Sequence, residues 1–345
     1  MPSKVLISTA NRLYDARTID QVGLSVKMDV DSTAVMSHVR HLRDRFTSAT
    51  LRDVDSWKPE HKISGQAKFI NQNTVAVNGQ HYQAKSFIIA VGSTPNIIKE
   101  WKDILNDRFL TTDQIFELPQ LPKSLAVIGS GVIAIELAQA FHRLGVETTI
   151  FARSNKVGIL SSPKLQDMAH EELLRELNIR FETLPEQVSL ENDQIKITYH
   201  NKQSQLETIF TDYLLSATGR SSLLSTLTLE KINPAYGDVK TLPIDLQTKQ
   251  LGEYPIFIVG DAFSKTPLQH EAAHEGRATV QNCLNYPQVQ NIKTLAPLGI
   301  VFCSPEMAIV GQTFQQLNDA KADFVTGFAS YEKQSRALTL GKNQG

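Results

Sequence analysis

"SLAVIGSGVIAIELAQAFHRLGVETTIFAR" (residues 124–153) decides the fold class. It runs from an apolar strand through a glycine turn into an apolar-faced helix, and ends in a second strand. This is one complete βαβ unit. Gly129, Gly131 and Ala134 form G-x-G-x-x-A between the first strand and the helix. The first glycine permits the tight turn. The second lets the backbone approach a pyrophosphate, and the third small residue lets the helix lie close on the strand. A pyrophosphate would then sit at the positive end of the helix. Because strand, turn, helix and second strand are all in place, the pattern predicts dinucleotide binding. The bland alternative is a glycine turn in an unliganded α/β domain.

An NAD site would close the second strand with Asp or Glu, to take the ribose 2′-hydroxyl. Here Ala152 holds that position and Arg153 follows it. A neutral residue and then a cation suit a 2′-phosphate, which favours NADP over NAD, with Lys156 as a second cation. Otherwise Arg153 is only a solvated strand end.

Outward from this unit, "SPKLQDMAHEELLRELNIRFETL" (162–184) predicts another helix and strand. "DYLLSATGR" (212–220) and "YPIFIVGDA" (254–262) are hydrophobic strands that stop abruptly. "AKFINQNTVAVNGQHYQAKSFIIAVGSTP" (67–95) reads as strands, with an Asn78-Gly79 hairpin turn and a buried strand ending at Gly92. Residues 1–50 read mostly helical, a helix is expected from about Leu268 to Leu284, and a strand-rich segment starts near Leu295. Strands alternating with helices predict doubly wound parallel sheets.

The 345 residues suffice for two or more domains. A hydrophobic content of 41% and a charged content of 21% are ordinary for a globular protein. A net charge of −1 gives no basic field for nucleic acid. The longest apolar runs, such as "FIIAV" (87–91), are strand-length and cannot span a bilayer. Two cysteines, Cys283 and Cys303, make no disulfide framework and lack C-x-x-C spacing. With no apolar signal core at the N-terminus, a cytoplasmic location is expected.

One motif points elsewhere. "PLQHEAAHEG" (267–276) contains H-E-x-x-H, the zinc-hydrolase pattern, in His270, Glu271 and His274. Zinc needs a third protein ligand. Arg277 and Val280 stand where a longer metzincin pattern needs Gly and His. No metal site is therefore expected.

Four motifs in order, "FIIAVGSTP", "VIGSGVIAIELA", "LLSATGR" and "IFIVGDA…LQHEAAHEGR", resemble the pyridine nucleotide–disulfide oxidoreductase family of dihydrolipoamide dehydrogenase, glutathione reductase and mercuric reductase. "IVFCSPEMAIVGQT" (300–313) resembles the start of that family's dimerisation domain. The resemblance implies an α/β fold of two Rossmann-like doubly wound domains, one for FAD and one for NAD(P). Residues 1–119 would be FAD domain lacking its N-terminal βαβ, 120–239 the NAD(P) domain, 240–294 the returning FAD segment, and 295–345 a partial dimerisation domain. It further implies that Gly260 and Asp261 meet the FAD ribityl chain and that Gly92 and Ser93 mark the switch into the nucleotide domain, although Val91 stands where the family usually has Thr. Gly219 and Arg220 match the nicotinamide-side loop, but "SSLL" replaces the usual Pro-Asn. Glu136 matches a glutamate near nicotinamide and flavin, with Lys4 its partner. The backbone N–H groups of Leu268, Gln269 and His270 would face the flavin edge, so the H-E-x-x-H stretch is read as a flavin-holding helix.

The implied reaction passes a hydride from NAD(P)H through FAD to a redox disulfide, and thence to a substrate disulfide or another small acceptor, in a homodimer. The family's C-x-x-x-x-C pair is followed by a stretch like x-P-S-K-x-L, and this chain begins "MPSKVLI". The expectation is therefore a fragment, a misplaced start or a decayed gene product, lacking the cysteine pair, the FAD pyrophosphate loop and the C-terminal His-Glu pair. Such a chain is expected to be inactive in disulfide reduction. The alternative is a non-catalytic NAD(P)-binding module.

Overall fold

Residues 124–128 are all buried, as a strand covered on both faces requires. The computed structural model describes residues 2–263, 268–293 and 295–345. The polar loop expected before Leu268 lies outside the described residues from Ser264 to Pro267.

The helices are α1 (Pro2–Arg17), α2 (Ser32–Asp55), α3 (Lys99–Leu105), α4 (Val132–Arg143), α5 (Pro163–Glu176), α6 (Gln269–Asn285), α7 (Phe314–Asp319) and α8 (Ser335–Thr339). The strands begin with a meander, β1 (Lys68–Asn71), β2 (Thr74–Val77) and β3 (Gln80–Gln83), then β4 (Phe87–Ile89) and β5 (Ser93–Pro95). After these come β6 (Phe109–Leu110), β7 (Ser124–Ile128), β8 (Glu147–Ala152) and β9 (Asn178–Phe181). A second meander is β10 (Gln187–Glu191), β11 (Gln194–His200) and β12 (Leu206–Thr211). β13 (Tyr213–Ser216), β14 (Arg220–Ser222), β15 (Ile256–Ile258), β16 (Leu298–Val301) and β17 (Met307–Val310) complete the order.

The chain divides into two compact units. The first comprises residues 1–51, 95–219 and 297–345. Its centre is a parallel sheet in the order β6-β13-β7-β8-β9. α4 carries the chain from β7 to β8, and α5 from β8 to β9. Strand order reverses at β7, which has β8 on one side and β13 on the other. That reversal is the place where a doubly wound sheet opens a ligand crevice at its carboxyl edge. α1 buries Leu6, Ile7, Ala10 and Leu13, one stripe at helical spacing, in the same core as Ala134, Leu137 and Phe141 of α4. Pro163 at the first turn of α5 fits a position whose N–H has no helical partner. Val301, Cys303 and Met307, at and between β16 and β17, also enter this core.

The second unit comprises residues 52–94 and 220–296. β4 and β15 pair in parallel, with Ile89 opposite Ile258. β1–β3 form the antiparallel meander expected around Asn78 and Gly79, which have φ of 51° and 79°. Two successive positive φ values make the turn whose twist matches a hairpin. Leu224, Leu251, Ile256 and Ile258 lie at the centre of this unit's core. Its parallel ladder is two strands wide.

Two outcomes were not anticipated. The meander β10–β12 fills residues 187–211, for which no element is predicted. Beyond Val310 the chain holds only the short helices α7 and α8 rather than a continuing run of strands. The compact units change over after residues 51, 94, 219 and 296.

Candidate functional site

In the first unit, Gly129 leaves β7 with φ of +123°. Its N–H donates to the Phe151 carbonyl at 2.8 Å. A Cβ here would stand 2.5 Å from the carbonyl oxygen of Ala217, at the end of β13, so only glycine lets the two strand ends approach. Gly131 differs. Its backbone is extended (φ −77°, ψ −173°), it takes the N-cap position of α4, and a Cβ would meet nothing within 4 Å. The space above it is open to a ligand. No side chain caps α4 and no acidic residue sits in its first turn, so its positive end stays available to an anion. Ala134 is fully buried beneath the turn.

The loop after β8 frames this opening. Ser130 Oγ donates to the Lys156 carbonyl at 2.5 Å, and the Gly158 amide donates to the Ser130 carbonyl at 2.8 Å. Ala152 is buried at the strand end; Arg153 and Lys156 are exposed. Among the described residues, no carboxylate lies within ion-pair distance of either cation. Opposite, Gly219 has φ of +109°, and its carbonyl accepts from the Asn96 amide at 3.0 Å.

One turn into α4, Glu136 is 5% exposed and paired bidentately with Lys4 Nζ, at 2.7 and 2.8 Å. The sequence resemblance links these two residues, and the fold brings them together. It adds a third partner that sequence reading missed. The Phe302 amide donates to Glu136 Oε1 at 2.9 Å, and the Phe302 ring lies 4.0 Å from Lys4 Nζ. Gln139, one turn on, donates to the Ser304 carbonyl and accepts from the Ser304 amide, at 2.8 and 2.7 Å. No local signal in "VFCSP" foretells this, because the pairing spans 165 residues of chain.

In the second unit, Gly92 and Gly260 lie just beyond the carboxyl ends of β4 and β15, which the ladder sets side by side. Both have positive φ, 71° and 64°. A Cβ on Gly260 would stand 3.0 Å from the Ala272 Cβ of α6. The Gly260 amide donates to Glu275 Oε2 at 2.8 Å, while Lys249 Nζ holds Glu275 Oε1 at 2.6 Å. Glu275 was not anticipated as the tie between this loop and α6. Asp261 is half-buried on the same turn. Leu268 precedes α6 without a side-chain cap; Gln269 and His270 open the helix and are exposed. Ser93 accepts two hydrogen bonds from Arg220, at Oγ (2.8 Å) and at its carbonyl (2.6 Å).

The two histidines of H-E-x-x-H are not aimed at a shared point. His274 Nε2 donates to the Lys293 carbonyl at 2.6 Å, and His270 Nε2 lies 3.8 Å from Glu271. Cys303 is not poised as a nucleophile. Burial pushes the Cys303 thiol up to about 12, with nearby Glu136 adding to it. A thiol that stays protonated is a poor nucleophile. Cys283 is half-buried, and its sulfur lies 3.0 Å from Ser86 Oγ.

A glycine turn at the strand-order reversal, an uncapped helix start and two unpaired cations together describe a dinucleotide site. The family model for pyridine nucleotide-disulphide oxidoreductases matches residues 1–276. The chain belongs to this family. It is 32% identical over 284 residues to a mercuric reductase of Staphylococcus aureus, covering 82% of this chain and 51% of the relative. It is 27% identical over 353 residues to a dihydrolipoyl dehydrogenase of Bacillus subtilis, covering all of this chain and 73% of the relative. The chain thus spans about half the length of the first and about three quarters of the second. The crystal structure of LpdA from Mycobacterium tuberculosis superposes with a TM-score of 0.82 at 21% identity, covering all of this chain and 75% of that one. Members of this family use FAD and NAD(P)H, in keeping with the two sets of glycine-flanked strand ends. Among the described residues no helix is long and apolar enough to cross a membrane.

Proposed function

We propose that this chain contributes the nucleotide-binding and flavin-side elements of an FAD-dependent NAD(P)H:disulfide oxidoreductase, and that it takes NADPH in preference to NADH. The observation that carries the preference is the end of β8. Ala152 offers no carboxylate to a ribose, and the exposed, unpaired Arg153 and Lys156 follow it. A guanidinium matches a phosphate with two parallel N–H donors. The open backbone at Gly131 and the uncapped start of α4 would receive the pyrophosphate, and Gly219 would border the nicotinamide end. The Glu136–Lys4 pair would fix the polar edge beside the ring.

The second unit's residues fit a flavin nucleotide. Gly92, Ser93, Gly260 and Asp261 form the carboxyl edge of its ladder, and Leu268, Gln269 and His270 present an uncapped helix start. FAD, when bound, supplies the two-electron relay between nicotinamide and acceptor. The chain's own share is to bind and orient; it holds no cysteine pair for the final exchange. With Cys303 buried and its thiol at about 12, disulfide reduction needs thiols from elsewhere. We assign the protein a homodimeric state, a small disulfide or comparable acceptor as substrate, and, from the sparse cysteines of this chain, a reducing compartment such as the cytoplasm.

The test is a titration of the purified chain with NADPH and NADH, followed by nucleotide fluorescence. NADPH should bind about tenfold tighter, the worth of one charge-assisted contact of roughly 1.4 kcal/mol. Arg153→Ala with Lys156→Ala should bring the two affinities together. Equal affinities in the unsubstituted chain overturn the NADPH assignment. NADPH-dependent reduction of a disulfide by this chain alone overturns the inactive reading.

A further inference from the structure

A cleft of about 610 Å³ opens in the second unit, lined by Tyr236, Tyr254 and Tyr286 together with Asn73, Asn233 and Glu253. It is not the flavin edge. Tyr254 and Pro255 precede β15, whereas Gly260 and Asp261 follow it, so the two regions flank opposite ends of the same strand. The volume is that of a small-molecule site.

The walls are specific in chemistry. Tyr236 and Tyr254 meet edge to face, with ring centroids 6.0 Å apart and planes at 86°. Tyr286 Oη donates to the Glu253 carbonyl at 2.8 Å, which anchors the third ring to the 252–255 turn. Tyr236 is 6% exposed, and what remains accessible of it lies on the cleft. Gly252, at φ +55°, leaves the Tyr236 hydroxyl room: a Cβ there would stand 2.5 Å from it. A hydroxyl at the cleft wall can donate to or accept from a polar atom of a ligand as it does from water. Glu253 is the one charged residue in the lining, and no Lys or Arg faces the cleft. Burial raises the Tyr236 hydroxyl's pKa, with Tyr254 and then Glu253 adding to it, so the phenol stays neutral.

Aromatic faces attract cations through their quadrupole, and a carboxylate at the mouth adds countercharge. An anionic ligand would find no countercharge in this lining and would face the Glu253 carboxylate. We infer that this cleft binds a small organic cation of the alkylammonium class, with the tyrosine rings around the cationic head and the Tyr236 hydroxyl on a neighbouring polar atom.

Choline and its uncharged carbon isostere, 3,3-dimethylbutan-1-ol, separate this from general apolar binding. The full chain is titrated with each at constant ionic strength, read by saturation-transfer NMR. Choline should bind about fivefold tighter or better, since a partly exposed cation–π contact and a surface charge each contribute a few-fold. Glu253→Gln, at an exposed position, should cut the preference at least twofold. Tyr254→Leu should weaken choline by a similar factor or more. Equal binding of both probes, binding of neither, or a choline preference unmoved by Glu253→Gln overturns the inference. If Tyr254→Leu fails to fold, Glu253→Gln decides alone. The cleft lies wholly in the second unit and the nucleotide turn wholly in the first, so either assignment can fail without the other.

Discussion

Gly129 and Gly131 stand two residues apart and are glycine for different reasons. At 129 the chain itself fills the space: φ is +123° and the Ala217 carbonyl is 2.5 Å from any added Cβ. Gly129→Ala should therefore cost about 2–4 kcal/mol, read as a fall in the urea midpoint. At 131 nothing of the chain lies within 4 Å and the backbone suits any residue. Gly131→Ala should leave stability within about 0.5 kcal/mol and instead weaken NADPH roughly tenfold, since the methyl occupies the pyrophosphate's path. Cys303 allows a pH test. Its thiol is raised from the usual 9.0 to about 12 by burial. As pH rises past 9 the unfolded thiol ionises first, so stability that is complete below pH 9 is lost between 9 and 12, at about 1.4 kcal/mol per unit. The unsubstituted chain should lose stability from pH 8 to 10 by about that much more than Cys303→Ala does. Equal losses would show that the thiol ionises freely when folded.

At the scale of elements, the polar stripe of α4 decides how the helix is held. Arg143 is 3% exposed and makes a two-bond pair with Glu176 of α5, at 2.6 and 2.9 Å, while Asn11 of α1 takes its remaining arm at 2.7 Å. Removing one partner strands a buried charge, so Glu176→Ala should cost about 3–5 kcal/mol. The exposed pair Lys99–Asp103 is a control, and Asp103→Ala should change stability by less than about 1 kcal/mol. α4 itself was legible because glycine turn, apolar face and flanking strands agree at every level. The meander β10–β12 was not. Its first turn uses Asn192 and Asp193, both at positive φ, and the second relaxes through Ser204, so no Gly or Pro marks either. β10 buries only Val188 and shows no period-2 pattern, whereas β11 alternates, burying Ile195, Ile197 and Tyr199. The Lys4–Glu136 link was read from family resemblance, while Phe302, Gln139 and Glu275 owe their places to long-range pairing that no local pattern encodes.

For the whole molecule, division into two units predicts where a ligand should be felt. NADPH at a hundred times its dissociation constant should add about 2.7 kcal/mol of stability. Hydrogen exchange should slow at the amides of residues 129–134 and after β13, and stay unchanged in the meander β1–β3. Protection confined to the second unit would contradict the assignment of the nucleotide to the glycine turn. The cores themselves were readable as alternation of strands and helices. The division into contact units depends on which distant segments share a core, which no local pattern carries.

The grip of Gln139 on Ser304 has a consequence for synthesis. A carboxamide can donate to the carbonyl and accept from the amide of one residue, and here it does both across 165 residues. Val301, Cys303 and Met307 close the same side of the core. A chain growing from its N-terminus can form β7, α4 and β8 early, yet must leave Gln139 and part of the Glu136 carboxylate without their backbone partners until the segment near residue 304 has emerged. Ribosome-bound nascent chains cut short before Val301 should thus carry a partly uncovered α4, and emergence of the segment near residue 304 is the step that covers it.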